Sequence, residues 1–363
     1  MRIVVAMSGG VDSSVAAGLL HEQGHEVIGV TLQLYDQGAA SGRKGACCAG
    51  QDIHDARRVA DRLGISHYVI DAEERFARAV IADFADSYAA GETPVPCIRC
   101  NQTVKFADLS ALAAGLGADR LATGHYVRRV DGPNGAELHR AADAERDQSW
   151  FLFATTQVQL DRCLFPLGSM PDKRAVRDEA ARLGLAVAEK PDSQDICFVP
   201  AGSYADIVGR LRPDAMAPGE IVTRDGTVVG RHDGVALFTV GQSKRLGAAA
   251  MTGGERQMVL ATEPGTRRVV VGPRNVSTSE VRLREVNWLV SPSEAPIRCT
   301  VKLRARDMPR PAVVTRCEAG AVVRLDTPTL PAPGQACVFY DGDRVLGGGF
   351  IMRPSNDRFD GER

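Results

Sequence analysis

The run Ile3-Val4-Val5-Ala6-Met7, followed by Ser8-Gly9-Gly10-Val11-Asp12-Ser13-Ser14, is the stretch that decides the fold of this chain. The apolar run is typical of a buried parallel strand, and residues 15–20 continue as a helix. The turn between them places glycines, a carboxylate and hydroxyls at a helix N-terminus. Glycines let a ligand approach the backbone closely, while the backbone amides and the helix dipole favour an anion. The sequence therefore predicts a phosphate-binding loop.

The kind of phosphate chemistry follows from what this loop lacks. It has no Gly-Lys-Ser/Thr, the signature of loops that bind nucleotides for cleavage of the γ-phosphate. It resembles instead the pyrophosphate-binding loop of ATPases that adenylate a substrate and release pyrophosphate. A Ser- and Gly-rich turn without a ligand is the alternative, and the complete SGGVDSS string directly after a strand argues against it.

Length and composition limit the class of protein. The chain has 363 residues, 25% of them charged and 5% aromatic, which predicts a globular protein of two or three domains. No apolar run approaches the roughly 18 residues of a membrane span, and the first one ends too early for a signal peptide, so we expect a cytoplasmic protein. The net charge of −1 means that a nucleic-acid partner needs a local basic patch. Nine cysteines, unevenly spaced, indicate thiols, metal or catalysis rather than a disulfide scaffold.

The amino-terminal 125 residues alternate strand and helix patterns. Strands are predicted at 3–7, 26–32, 67–70 and 120–123, and helices at 13–23, 53–63, 73–90 and 103–116. This alternation predicts an α/β domain with a doubly wound parallel sheet, whose ligand lies beyond the carboxyl ends of the strands. The Gly-Gly turn, Leu32 and Gly124 stand at such ends, so we expect them to meet in one crevice.

The rest of the chain changes character twice. A hairpin is predicted within 127–145 and a helical stretch over 150–183, its last helix starting at Pro171-Asp172-Lys173. Prolines and glycines then punctuate short alternating runs that predict a small central β-rich domain, and further short strands predict a C-terminal β-barrel. The predicted domains are 1–200, 201–275 and 276–363.

Two cysteine segments form a second informative pattern. In Thr93-Pro94-Val95-Pro96-Cys97-Ile98-Arg99-Cys100-Asn101 the prolines predict an extended loop, with Cys100 just before a helix that begins near Gln102. A helix N-terminus lowers the pKa of a thiol, so we expect Cys100 to be reactive. Cys197 lies in Asp192-Ser193-Gln194-Asp195-Ile196-Cys197-Phe198, which also has the composition of a turn.

These segments, the phosphate loop and Thr123-Gly124-His125-Tyr126 together resemble the tRNA-specific 2-thiouridylases, the bacterial MnmA family, from Met1 to about Phe350. The resemblance implies an adenine nucleotide alpha hydrolase-like fold for the first domain. It implies an ATP-dependent sulfurtransferase that adenylates the C2 oxygen of the wobble uridine in tRNAs of the Lys, Glu and Gln type and replaces that oxygen with sulfur. The cofactors are then ATP and Mg²⁺. The partners are tRNA and a cysteine desulfurase or sulfur-relay protein, with no role for DNA or a membrane.

The resemblance also implies roles for individual residues. Cys197 carries a persulfide, and Cys100 attacks it or resolves the intermediate, leaving a Cys100–Cys197 disulfide. The residues implied to bind ATP are Ala6, Met7, Ser8, Gly9, Gly10, Val11, Asp12, Ser13, Leu32 and Gly124, with Asp12 sharing Mg²⁺ with the phosphates. The residues implied to bind tRNA are Asp147, Gln148, Ser149, Arg304 and Ala305. We add Arg306, because a strand through Lys302–Arg306 would place it on the same side as Arg304.

Several alternatives remain open. Cys97 stands where some family members have Asp, so Cys97, Cys100 and Cys197 are also a ligand set for an iron–sulfur cluster that delivers sulfide. Val95 stands where many members have Asn, which puts a contact of this side chain with the target base in doubt. One alternative function is that of a ligase of the argininosuccinate or GMP synthetase kind, which needs no paired cysteines. Another is a protein that only holds ATP or RNA, which produces no pyrophosphate. His125 is either a structural histidine or an ATP contact.

Overall fold

A computed structural model describes residues 1–35, 48–192, 196–199, 203–291 and 295–354. The chain divides into two compact units. Unit 1 comprises Met1–Ile81, Pro96–Ala201 and Gly342–Val345, and unit 2 comprises Ala82–Val95, Gly202–Asp341 and Leu346–Arg363. Within the described ranges, no helix combines the length and the apolar character that crossing a membrane requires.

Unit 1 is built around a parallel sheet with the strand order β3-β2-β1-β4-β7. Its strands, with the hairpin β5–β6, are β1 (Arg2–Ala6), β2 (Glu26–Gln33), β3 (Ser66–Asp71), β4 (Arg120–Thr123), β5 (Val127–Gly132), β6 (Gly135–Arg140) and β7 (Cys163–Leu164). The four predicted strands are confirmed, each within one residue of the predicted ends. Ile3, Val4 and Val5 of the central strand are 0% exposed, and burying such side chains contributes about 1.5–3 kcal/mol each.

Helices connect and cover these strands. They are α1 (Val11–Glu22), α2 (Cys48–Leu63), α3 (Glu73–Phe76), α5 (Pro96–Cys100), α6 (Phe106–Gly115), α7 (Ser149–Leu152), α8 (Gln157–Arg162) and α9 (Lys173–Arg182), whereas α4 (Asp83–Ala89) belongs to unit 2. π-Helical turns at Ala77–Ala82 and Asn101–Lys105 join α3 to α4 and α5 to α6.

The sheet reverses its winding beside its central strand. β1 pairs with β2 on one side and with β4 on the other, both in parallel. The crevice at such a switch point, beyond the carboxyl ends of the strands, is where ligands bind in sheets of this kind. The loop after β4 packs closely on the start of α1, since a Cβ added to Gly124 would lie 2.7 Å from Ser13 N. The predicted doubly wound α/β fold is confirmed, and the glycine turn after β1 lies at the switch point.

The prediction for the helix around Cys100 was wrong. The helix begins at Pro96 rather than near Gln102, and it continues through the π-helical turn into α6. Proline fits the first position of a helix because its missing N–H would have no partner there. Ile98, Val104 and Leu109 are at most 1% exposed and form the buried face of this helix. Cys100 therefore lies inside the helix, not before its start.

The region after β4 matches its prediction in part. The hairpin β5–β6 and the last helix are present, with the side chain of Asp172 accepting the amide of Ala175 at the start of α9. The stretch from 150 to 183 is not all helical, because β7 interrupts it and pairs in parallel with β4. A sequence of two paired residues is too short to show a strand pattern.

Unit 2 contains two β structures. After α10 (Tyr204–Leu211), the first has the strand order β10-β11-β12-β8-β9. Its strands are β8 (Gly219–Thr223), β9 (Val228–His232), β10 (Met251–Thr252), β11 (Glu255–Glu263) and β12 (Arg268–Pro273), with short 3₁₀ turns at Pro213–Met216, Val235–Leu237, Gly247–Ala250 and Pro264–Thr266. The central β-rich region is confirmed, and its sequence did not show the helix that precedes it.

The second β structure is a closed barrel. Its strands are β13 (Thr278–Trp288), β14 (Ile297–Lys302), β15 (Arg310–Cys317), β16 (Gly320–Thr329), β17 (Ala336–Asp341) and β18 (Arg344–Ile351). They follow the order β13-β16-β15-β14-β17-β18, and pairing of β13 with β18 closes the ring, which confirms the predicted C-terminal barrel. β14 ends at Lys302, so Arg304–Arg306 lie in a turn. The strand phase used to add Arg306 was therefore wrong.

Candidate functional site

The phosphate loop has the geometry of an anion site. Gly9 has φ +75, and a Cβ there would lie 2.1 Å from Asp52 O, so only glycine fits. The loop is held from inside: Ser13 Oγ accepts the amide of Ser8 at 3.1 Å, and Ser14 Oγ donates to Gly10 O at 2.8 Å. No side chain caps the N-terminus of α1, which follows Gly10 and leaves its amide groups for a ligand.

Asp12 is the centre of a polar network at the start of α1. Its Oδ1 accepts the hydroxyl of Tyr126 at 2.6 Å, and both carboxylate oxygens accept Lys173 Nζ, at 2.8 and 2.9 Å. Lys173 Nζ also lies 2.7 Å from Asp192 Oδ1, and Arg146 Nη1 donates to the other oxygen of Asp192 at 2.8 Å. The network thus links the phosphate loop to the segment that leads to Cys197.

A second lysine ties the same segment to the loop backbone. Lys190 Nζ donates to Gly9 O at 2.9 Å, to Asp52 Oδ1 at 2.7 Å and to Asp55 Oδ2 at 2.6 Å. Burial opposes the charged form of Asp55, but the bond from Lys190 outweighs it and the pKa of Asp55 is lowered. The left-handed turn at Gly9 is therefore fixed by α2 and by the segment around Lys190 together.

Two cysteine thiols of unit 1, those of Cys100 and Cys197, make up the second part of the candidate site. Cys100 is 4% exposed, and burial raises the pKa of its thiol. Cys197 lies in an exposed turn, yet desolvation of its thiol by the surrounding protein raises its pKa to about 11. The prediction of a lowered pKa at Cys100 was wrong, because the residue lies within a buried helix and not at its N-terminus. Both cysteines are free thiols in this structure.

Lys105 is the cation that faces these thiols. Among the described residues it has no hydrogen bond or carboxylate partner, and it is half-buried at the end of the π-helical turn after Cys100. Burial opposes its charge, but the charges of the thiols Cys100, Cys97 and Cys197 outweigh this and raise the pKa of Lys105. In turn, the ammonium works to lower the pKa of Cys100 and of Cys197 against their burial.

His125 is a neutral neighbour of the same lysine. Burial, helped by the charge of Lys105, lowers the pKa of His125 to about 3. Its Nδ1 is hydrogen-bonded to Thr123 Oγ1 at 2.8 Å, and its ring stacks on Phe106 with the centroids 6.1 Å apart. The ring is therefore fixed and uncharged near neutral pH.

Comparison with known proteins gives matches over nearly all of the chain. Residues 1–201 match the model described as tRNA methyl transferase HUP domain, residues 206–273 the tRNA methyl transferase PRC-barrel domain, and residues 278–351 the Aminomethyltransferase beta-barrel domain. The chain is 69% identical over 352 residues to the tRNA-specific 2-thiouridylase MnmA of Acidiphilium cryptum (strain JF-5), covering 97% of this chain and 100% of that protein.

The chain belongs to the MnmA family of tRNA-specific 2-thiouridylases. The MnmA of Gluconobacter oxydans (strain 621H) is 63% identical over 358 residues, covering 97% of this chain and 99% of that protein. Among solved structures, the NMN synthetase of Francisella tularensis aligns at 18% identity over 58% of this chain and 76% of that chain, with a TM-score of 0.33, too low to inform on function. Membership in this sulfurtransferase family implies ATP as the nucleotide of the phosphate loop.

The loop residues fit the Mg²⁺ that accompanies ATP. Mg²⁺ in nucleotide sites is commonly held by one or two carboxylates together with phosphate oxygens and water. Asp12 supplies one carboxylate at the N-terminus of α1, where it is neutralised by Lys173.

The three thiols do not form a ready-made metal site. In the part of the chain that the structure describes, no group of three His, Cys, Asp or Glu residues is arranged to hold a metal ion. Cys97 is exposed at the start of α5 while Cys100 is buried in it. Cys97, Cys100 and Cys197 therefore do not form a ligand set for an iron–sulfur cluster in this structure.

The segment predicted to bind tRNA in unit 1 is an internal turn. Asp147 accepts the amide and the hydroxyl of Ser149, at 3.1 and 2.8 Å, and Gln148 Oε1 accepts the amide of Tyr126 at 2.9 Å. Ser149 is 0% exposed. This turn holds Tyr126 beside Asp12; contacts of Asp147, Gln148 and Ser149 with tRNA stay predictions.

Sequence reasoning assigned no site role to five polar and charged residues that complete the site. These are Lys105, Tyr126, Lys173, Lys190 and Asp192. Lys173 is bonded to Asp12 across 161 positions, and Lys190 to Gly9 across 181. Three signals in the sequence pointed to members of this set: Lys105 follows Cys100 by five positions, Tyr126 ends the Thr123–Tyr126 motif, and Asp192 begins the segment that contains Cys197.

Replacing Lys105 by methionine tests the electrostatic link to the thiols. Loss of the ammonium removes a charge that lowers the pKa of Cys197, so this pKa will rise and alkylation at pH 9 should slow, by about tenfold for each pKa unit gained. The measurement is the rate of Cys197 carbamidomethylation by iodoacetamide between pH 7 and 11, followed by peptide mass spectrometry. Lys105→Arg keeps the charge and should keep the rate. Equal pH profiles for wild type and Lys105→Met would contradict the link.

Proposed function

We propose that this protein makes 2-thiouridine at the wobble position of tRNA, using ATP to activate C2 and a persulfide on Cys197 as the sulfur source. The observation that carries the proposal is the combination, within unit 1, of a phosphate loop at a switch point with two free thiols facing one unpaired lysine. A ligase, or a protein that only binds nucleotide, would need the phosphate loop but not the two cysteines.

The first step activates the base. The C2 oxygen of uridine attacks the α-phosphorus of ATP, forming an O-adenylyl bond, and the bond to pyrophosphate breaks. The amides at the start of α1 and Lys173 stabilise the negative charge that develops on the leaving pyrophosphate. Mg²⁺, when bound with ATP, supplies further neutralisation of these phosphates. Asp12 positions Lys173, and Tyr126 holds Asp12 in place through its hydroxyl.

The second step replaces oxygen by sulfur. The terminal sulfur of the Cys197 persulfide attacks C2, and AMP leaves with the oxygen. The Cys100 thiolate then attacks Cys197 Sγ, which breaks the S–S bond, forms the Cys100–Cys197 disulfide and releases 2-thiouridine as an anion that takes up a proton. In the other order, Cys100 attacks the persulfide first and the hydrosulfide set free attacks C2. A dithiol reductant restores both thiols in either order.

Lys105 gives this chemistry its charge balance. A persulfide or thiolate near a buried helix is unstable without a cation, because desolvation penalises the anion. Lys105 has no carboxylate to neutralise it among the described residues, and its charge works to lower the pKa of both cysteines. Formation of the disulfide needs the two Sγ atoms about 2 Å apart, so the exposed turn of Cys197 closes on the helix of Cys100 during the cycle.

We assign the chemistry to residues 1–200, whose segment Asp147–Ser149 faces the tRNA in this proposal, and a further tRNA contact to the region 276–363. Ala6–Ser13, Leu32 and Gly124 bind ATP in this proposal. Arg304, Ala305 and Arg306 contact the tRNA, since they occupy one turn that exposes both guanidinium groups. A cysteine desulfurase or relay protein loads Cys197 through its exposed turn.

The test of the proposal is formation of 2-thiouridine in an unmodified tRNA with release of one pyrophosphate for each thiolated base. A ligase would release pyrophosphate with an amine acceptor and without need of Cys100 or Cys197. A protein that only binds nucleotide would release none.

A further inference from the structure

The residue after Cys197 anchors the turn that carries this thiol. Phe198 is 4% exposed, whereas Cys197 itself is exposed. The ring of Phe198 packs edge-on against Phe76 of α3, with the ring centroids 5.8 Å apart, and Phe76 is 0% exposed. The amide of Val199 donates to Ile196 O at 2.8 Å, so the turn closes directly beside this aromatic contact. Phe198 is therefore the buried anchor of the Cys197 turn.

The neighbour of Phe76 in α3 binds the helix of Cys100. Arg75 Nη2 donates to Thr103 O at 3.0 Å, and Arg75 Nε pairs with Asp108 Oδ2 at 2.9 Å. Thr103 lies in the π-helical turn that follows Cys100, and Asp108 lies in α6. All of these residues belong to unit 1. The short helix α3 thus contacts both elements that carry the thiols.

α3 is itself fixed on the parallel sheet. Asp71, the last residue of β3, accepts the amide of Glu73 at 3.0 Å. Gln33, the last residue of β2, donates to Glu73 Oε1 at 2.6 Å. The ring of Tyr35 also lies on that of Phe76, with the centroids 6.1 Å apart. Because the sheet holds α3 in this way, the helix is a rigid support for the side chains that pack on it.

The two thiols are near each other but still have to meet. Burial and then the charge of Cys100 raise the pKa of Cys197, so the charges of the two groups interact. A disulfide needs their Sγ atoms about 2 Å apart. Contacts that limit the separation of two reacting groups raise their effective concentration, and this advantage is lost with the contacts.

We propose that Phe198 and Arg75 are positioning residues for the disulfide step, and that through α3 they hold the Cys197 turn and the Cys100 helix within reach of each other. In this step the Cys100 thiolate attacks Cys197 Sγ, and the electron pair of the broken S–S bond leaves with the transferred sulfur. The inference rests on the proposed function, to which it adds two residues that do not touch the reacting atoms.

The test is the equilibrium between the two thiols and their disulfide in mixtures of reduced and oxidised glutathione, without tRNA or ATP. Each oxidised glutathione takes up the two electrons and two protons of the thiols and becomes two molecules of reduced glutathione. The fraction of Cys100–Cys197 disulfide is measured by mass spectrometry of alkylated tryptic peptides. Cleavage after Arg99 separates Cys97 from Cys100, so pairing of Cys97 is distinguished.

Loss of either contact should lower the equilibrium constant for the disulfide. We expect a decrease of about tenfold in Arg75→Gln and in Phe198→Ala, because the two segments are then held less closely. Phe198→Leu keeps an apolar side chain against Phe76 and should restore the constant to within about twofold of wild type. Arg75 is exposed, so Arg75→Gln tests the proposal even if Phe198→Ala does not fold.

Arg78→Gln is the matched control for Arg75→Gln. Arg78 follows three positions later and pairs at 3.6 Å with Glu74, and both of these side chains are exposed. Its equilibrium constant should equal that of wild type. Melting temperatures equal to wild type for both arginine variants would show that a change in the constant does not come from loss of the fold.

The outcomes separate the positioning role from the proposed function. If wild type forms the disulfide and Arg75→Gln has the same equilibrium constant, the positioning proposal fails and the proposed function stands. If Arg78→Gln lowers the constant as much as Arg75→Gln, surface charge is the cause and the positioning proposal also fails. If wild type forms no Cys100–Cys197 disulfide in any glutathione mixture, the disulfide step of the proposed function fails and the positioning role with it.

Discussion

Alanine in place of Cys197 is expected to abolish 2-thiouridine formation while pyrophosphate release with tRNA continues. The thiol carries the sulfur that reaches C2, whereas adenylation of the C2 oxygen uses the phosphate loop and its lysines. The variant should therefore accumulate adenylated tRNA. The measurement is a single-turnover reaction with labelled ATP, in which pyrophosphate and 2-thiouridine are both quantified.

Cys317→Ala is the matched control for this variant. Cys317 is also an exposed free thiol, but it lies at the end of β15 in unit 2. We expect it to retain both activities. Loss of pyrophosphate release together with thiolation in Cys197→Ala would contradict the assigned role and make Cys197 a structural residue of the turn.

Asparagine in place of Asp12 is expected to lower pyrophosphate release by about 100-fold, the size of effect seen when one preorganised electrostatic group is removed from an active site. The substitution keeps the shape of the side chain but removes the charge that holds Lys173 and that fits Mg²⁺. Lys173 keeps its bond to Asp192, so it should turn away from the loop. The measurement is kcat and KM for Mg²⁺–ATP in tRNA-dependent pyrophosphate release.

Asp178→Asn is the control for Asp12→Asn. Asp178 is an exposed acid on α9, the helix that begins with Lys173, and its only ion pair is with Arg174 at 3.8 Å among the described residues. The Asp178→Asn variant should leave kcat and KM for Mg²⁺–ATP unchanged. If Asp12→Asn has normal kinetics at every Mg²⁺ concentration, Asp12 takes no part in the nucleotide site.

The parallel sheet and the phosphate loop were predictable because their signals are local. An apolar run of five residues, a Gly-Gly turn and a helix pattern stand next to each other in the chain, and their order sets the switch point. The end of β4 beside Ser13 followed from the rule that parallel strands end at one edge.

Cys100 shows where local reasoning failed. Pro94 and Pro96 both suggested extended backbone, yet Pro96 starts a helix whose buried face includes Ile98. A proline is compatible with either conformation, and the choice depends on apolar burial that the local pattern did not reveal. The environment of the thiol, and hence the direction of its pKa shift, changed with that choice.

The ionic network of the site could not be predicted for a different reason. Lys173 and Lys190 reach the loop from 161 and 181 positions away, and one sequence gives no sign of which lysine meets which acid. The end of β14 was mispredicted for the same reason, because one sequence does not show which residues pair. Lys302–Arg306 alternates like a strand, but the strand pairing ends at Lys302.

The central claim is that sulfur passes from a persulfide on Cys197 to a tRNA base activated by ATP. It is tested most directly by incubating rigorously metal-free enzyme with Mg²⁺–ATP, a persulfide donor and unmodified glutamate tRNA, and by measuring 2-thiouridine in the digested tRNA. We expect about one 2-thiouridine for each pyrophosphate, because no step described above passes through iron. Product that forms only after iron and sulfide are restored without oxygen would contradict the persulfide route and would make Cys97, Cys100 and Cys197 cluster ligands.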